Sequence, residues 1–183
     1  MAIEKNSNDP TFINLAWKSI VVHSLTYFVA GLIASNLFHY EGLFAIPSMA
    51  GFMRPYNDVW IMLGPLFQPL RGLLFALALY PLRELLFQKK NGWLILWGLL
   101  AIVGIFSTYG PTPGSIEGLL YTQVPLLAHL QGLPEVLAQS FVYSVVLFYW
   151  VNHPEKRWLA WVLVILFCLL MLFPILGLLA GRG

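Results

Sequence analysis

The longest apolar stretch of the chain opens just after Asn57 and Asp58, ends at about Phe87, and carries an arginine, Arg71, near its middle. At 1.5 Å per residue, about 30 residues of helix extend roughly 45 Å, more than the roughly 30 Å hydrocarbon core of a bilayer requires. Such a stretch belongs in a large protein core or in a membrane. Only 10% of the 183 residues are charged, 59% are hydrophobic, and the mean hydropathy is +0.76. A soluble domain carries about 25% charged residues to cover its surface. The chain therefore reads as an all-α, polytopic integral membrane helix bundle, a single transmembrane domain over residues 1–183 with a short polar N-terminal segment, residues 1–17.

Other apolar blocks cover residues 19–38, 93–108, 133–151 and 158–180. Asp9, Pro10 and Thr11 read as the start of a short interfacial helix carrying Phe12, Leu15 and Trp17. Asp58 has the position of a helix cap, and Ser115 that of a cap for a helix containing Glu117. Pro65 and Pro69 predict a kink or break in the first half of the long stretch. Residues 115–131 are ambiguous: Glu117, Gln123, Pro125 and His129 interrupt them, and Gly132 reads as a turn before the next span.

Charge placement arbitrates, because cytoplasmic loops collect Lys and Arg. If residues 115–131 do not cross, Lys5, Lys18, Arg83, Lys89, Lys90, Lys156 and Arg157 share one side, leaving Arg54 and Arg182 on the other. If they do cross, Lys156 and Arg157 change sides and the asymmetry weakens. About five transmembrane helices plus one re-entrant or interfacial segment are thus preferred to the six-helix alternative. The same count predicts a cytoplasmic N-terminus in a plasma membrane. Trp60, Trp93, Trp97, Trp150, Trp158 and Trp161 lie near span ends, where indole rings anchor at the interface. Gly31, Gly98 and Gly104 read as sites of close helix approach.

Arg71 is the costly residue. An arginine at mid-bilayer costs on the order of 2.5–3.5 kcal/mol by insertion scales and normally faces the bundle interior with an anionic partner. Helical spacing puts Gly64, Gln68, Arg71 and Phe75 on one face. Glu84 is about 18 Å of helix away from Arg71, which leaves Glu117 and Glu135 as candidate partners. Tyr121 lies one turn beyond Glu117, and Gln139 and Tyr143 continue the face of Glu135. His129 reads as a residue that fixes a loop or joins a polar pocket with Glu117 or Glu135. Arg71, Gln68, Glu117, Tyr121, His129, Glu135 and Gln139 form the candidate ligand-binding set.

The same residues exclude several activities. His23, His39, His129 and His153 have no pair at i+3 or i+4, and Cys168 is the one cysteine, so no metal site or cofactor is implied. His23 reads as lying toward the cytoplasmic end of the first span. No nucleophile elbow and no phosphate-cradling loop occur. A formal net charge of +2 without a basic aromatic patch gives no support for nucleic-acid binding. The expected partners are the lipid bilayer, a protein partner or second copy, and an anionic small molecule or lipid headgroup. A non-enzymatic accessory or scaffold subunit, in which Arg71 braces the helices, is the first expectation. A small transporter or ligand-binding module centred on Arg71 is the second, and an enzyme acting on a lipid the third.

Overall fold

The computed structural model describes residues 10–180, so Lys5, Arg182 and most of the polar N-terminal segment lie outside the described residues. Helix α1, Phe12–Leu37, starts at Thr11, whose hydroxyl accepts the Asn14 N–H at 3.3 Å. No proline interrupts it before Phe38, so the expected interfacial helix is simply the first turns of the first long helix. Leu15, Ala16 and Lys18 consequently belong to the buried part of the bundle. His39, at φ 48°, reverses the chain into two short helices, α2 (Tyr40–Ala45) and α3 (Pro47–Ala50).

Helix α4, Val59–Leu79, is capped by Asp58, whose carboxylate accepts the Trp60 N–H at 2.8 Å. It stays helical through Pro65 and Pro69, and the irregularity comes later, in a 3₁₀ turn at Tyr80–Leu82 before α5, Arg83–Phe87. Each proline removes one N–H from the ladder and frees the carbonyl four residues earlier. Helix α6, Gly92–Gly98, widens into a π-helical stretch, Leu99–Phe106, closed by the i→i+5 bond from Ser107 N–H to Ile102 C=O at 2.9 Å.

Ser115 caps α7, Ile116–Tyr121, through the Gly118 N–H at 2.9 Å. The next helix, α8 (Leu126–Asn152), begins before Gly132 and runs through Gly132 and Pro134 without a turn. Nothing lies within 4 Å of where a Gly132 side chain would start, so this glycine marks open space along a helix rather than a reversal. The segment thought to fold back is therefore a short helix, an extended link and the first turns of α8. Helix α9, Arg157–Ala180, completes the chain.

Among the described residues there is no strand. The fold is an all-α helix bundle with four helices long and apolar enough to cross a membrane: Phe12–Leu37, Val59–Phe87, Leu126–Asn152 and Arg157–Gly177. The fifth apolar helix, Gly92–Phe106, is shorter. Large apolar side chains such as Trp161, Ile165, Leu169 and Phe173 of α9 face outward, as they do where the surrounding solvent is lipid.

Helix α1 packs against α4, α8 and α9. Its contacts with α4 are antiparallel, from Ser19 beside Gly72 through His23 beside Gln68 to Tyr27 beside Gly64. Its contacts with α8 run from Lys18 beside Trp150 to Gly31 beside Glu135. Helices α1 and α4 approach closely at Gly72, where a Cβ would stand 2.6 Å from Ile20 Cα. Gly98 and Gly104, expected as close-approach sites, would meet nothing within 4 Å. Lys18, Arg83, Lys89, Lys90, Lys156 and Arg157 all fall at one end of this antiparallel arrangement, and Arg54 at the other.

Candidate functional site

Hydroxyl and amide groups tie α1, α4 and α8 together before any cavity opens. The Ser19 hydroxyl donates to Gly72 C=O at 2.7 Å, so its oxygen is left to accept the Tyr143 hydroxyl, also at 2.7 Å. Gln68 spans the next layer: its carbonyl accepts His23 Nε2–H at 3.1 Å, and its amide donates to Gly64 C=O at 3.1 Å. His23 is 2% exposed and packs edge-on against Phe75, with ring centroids 4.8 Å apart. It sits near the middle of α1, because the helix starts at Phe12 and not at residue 19.

Beyond these ties the helices part around a polar cavity of about 470 Å³. Arg71 lines it from α4, His23 and Tyr27 from α1, and Glu135, Gln139, Ser140 and Tyr143 from α8. The wide π turn gives Leu100, Gly104 and Ile105 a common face toward it, and Thr108 and Thr112 follow at its rim. Local widening of this kind recurs at functional sites. The Arg71 guanidinium lies 5.7 Å from the Phe75 ring centre, and the ion pairs among the described residues, Arg54–Asp58 and Arg83–Glu84, do not include it.

A second, aromatic cavity of about 530 Å³ shares Tyr27 and Glu135 with the first. Tyr27, Phe28, Tyr40, Phe44, Tyr56 and Trp60 contribute rings to its lining. The Tyr40 hydroxyl donates to the Glu135 carboxylate from the loop that follows α1. Burial first, and that bond second, raise the Tyr40 pKa above its ordinary value.

The structure thus brings Arg71, Glu135 and Gln139 to one cavity and puts Gln68 one layer behind it, holding His23. Glu117 and Tyr121 sit on α7 and are not among the residues lining either cavity; Tyr121 is 76% exposed. His129 is buried, and its Nδ1 accepts the N–H of Gly114 at 2.9 Å, fixing a loop in which Gly114 has φ +92°. No ion pair among the described residues joins Arg71 to Glu117 or to Glu135, and α7, which carries Glu117, packs on α8. Contributors outside the candidate ligand-binding set include Ser19, His23, Tyr27 and Tyr143. Three of them repeat at i, i+4 and i+8 on α1, a polar stripe that spacing alone can reveal. Among the described residues, no group of three or more His, Cys, Asp or Glu is placed to hold a metal ion. No family model matches the chain, and no curated protein or solved structure matches it either.

Proposed function

We propose that this chain is a multi-spanning protein of the plasma membrane, with a cytoplasmic N-terminus, that binds an anionic small molecule or lipid headgroup at Arg71. The single observation that carries the reading is Arg71 itself. It lies near the middle of the 29-residue Val59–Phe87 helix and lines a cavity, with no carboxylate paired to it among the described residues. A permanently charged group at that depth is costly, and a planar fork of donors suits a carboxylate or phosphate. Gln139, Ser140, Thr108 and Thr112 supply further hydrogen-bonding groups around the same space. The brace that an accessory role asks of Arg71 is supplied by other residues, namely Ser19, Gln68 and Lys18. The collection of basic residues at one bundle end supports the orientation.

Native mass spectrometry of the gently extracted protein, beside an Arg71→Gln variant, tests this reading. An anionic molecule or specific lipid carried by the wild type and lost from the variant, with both melting within a few degrees after delipidation, is the expected result. An empty wild type with a variant that melts far lower makes Arg71 a brace. A stoichiometric protein partner in both, without a small ligand, returns the accessory-subunit reading.

A further inference from the structure

We propose that the aromatic cavity is a binding site for an organic quaternary ammonium group. The proposal concerns the cavity that Arg71 does not line, which shares Tyr27 and Glu135 with the one it does. Six aromatic residues, Tyr27, Phe28, Tyr40, Phe44, Tyr56 and Trp60, are among those that line this space, with Arg54 5.8 Å from the Trp60 ring centre. Three of them form a continuous wall: Tyr40 stacks on Phe44 at 5.4 Å, and Phe44 meets Tyr56 edge-on at 6.2 Å. Aromatic faces carry negative quadrupole potential and attract cations, and several faces turned on one space make the cage that holds trimethylammonium groups.

The charges agree with that assignment. No lysine or arginine lines the cavity; its two charged lining residues are Asp58 and Glu135. Both oxygens of Asp58 are engaged, one by Arg54 at 3.3 Å and the other by the Trp60 N–H at 2.8 Å. Glu135 takes one neutral hydroxyl bond, from Tyr40, and neither ion pair among the described residues includes it. Glu135 is thus the lining carboxylate with no cation paired to it among the described residues. A quaternary ammonium needs no hydrogen-bond acceptor, only apolar contact and negative potential. The volume, about 530 Å³, falls in the range of small-molecule sites.

The test uses choline as the probe against its neutral isostere, in which carbon replaces the ammonium nitrogen. Titration calorimetry on the full chain in phosphatidylglycerol nanodiscs reads the binding. Choline is expected to bind at least about tenfold more tightly than the isostere. Tyr56→Leu and Phe44→Leu should each weaken it about three- to tenfold, Tyr56→Phe should stay within about twofold, and Glu135→Gln should weaken it as well. Arg71→Gln should bind choline at least as tightly as the wild type does, because a neighbouring cation is removed, and this separates the site from the anion site. In phosphatidylcholine nanodiscs, loss of the choline signal assigns the ammonium to a lipid headgroup and an unchanged signal assigns it to a free solute; both are expected forms of the proposal. Equal binding of choline and isostere, or binding of neither by the folded wild type, overturns it, and so does loss of choline binding in Arg71→Gln.

Discussion

The two halves of the bundle are built differently. In the half that carries the basic residues, Leu15, Leu86, Leu96 and Leu147 are fully buried, and Trp17 meets Trp150 edge-on at 4.6 Å. Lys18 donates to Trp150 C=O at 3.0 Å there, supplying one of the carbonyls that the end of α8 leaves without a partner. In the other half the same helices diverge around two cavities of about 530 and 470 Å³. Lipid provides no hydrophobic drive for helices to associate, so packing contacts and interhelical hydrogen bonds must hold them. This protein has its tightest packing at the basic end, while interhelical hydrogen bonds occur in both halves, Lys18 to Trp150 and Ser19 to Gly72 in one and Tyr40 to Glu135 in the other. The rigid half fixes the helix positions, and the hollow half can then keep polar side chains turned toward empty space.

The largest expected effect comes from emptying the packed half. Trp150→Ala should cost about 3–5 kcal/mol in reversible detergent unfolding, and a loss below about 1 kcal/mol would break the comparison. Glycine substitutions sharpen it next. Gly72→Ala puts a methyl group 2.6 Å from Ile20 Cα and should cost about 1–3 kcal/mol, seen as a lower unfolding midpoint. Gly104→Ala meets nothing within 4 Å and should be neutral, or stabilising by up to about 1 kcal/mol through helix propensity.

Ser19→Ala should lose about 1 kcal/mol, because the Tyr143 hydroxyl and Gly72 carbonyl are left without it. A double-mutant cycle with Tyr143→Phe should show coupling, and strict additivity would mean that the shared hydroxyl bond contributes nothing. The smallest effect concerns pH. Tyr40 has a pKa raised above the ordinary 10.0 by burial and by its bond to Glu135. A group raised on folding contributes stability that is complete below its unfolded pKa and is lost as pH climbs beyond it. The melting temperature should therefore be insensitive to Tyr40 at neutral pH and fall above about pH 10, less steeply in Tyr40→Phe. An identical alkaline fall in both proteins would remove Tyr40 as a contributor.

Hydropathy and capping residues made the helices legible. Asp58 and Ser115 cap the helices that their positions predict, because the capping signal is local. Spacing on one helix also put Gln68 and Phe75 beside Arg71. Contacts between helices were another matter. Apolar composition does not specify how a helix surrounded by lipid is rotated, so nothing local marked His23 as the partner of Gln68 or Ser19 as the partner of Tyr143. Gly132 reads as a turn by the rules for water, where an exposed backbone can bond solvent. Away from water an unpaired backbone group is costly, and the helix continues through it. Gly72 was overlooked and Gly104 overvalued for a related reason: a glycine shows close approach only when the facing helix is known.

The Lys18 contact has a consequence for synthesis. Its acceptor lies 132 residues later in the chain. At growth rates of about 5–20 residues per second, roughly 7–26 s separate the making of the lysine from the making of the carbonyl that receives it. Until then the first helix carries an ammonium without its final seat, and a product truncated before Trp150 carries it permanently. The first helix therefore takes its final seat only once the end of α8 has been made.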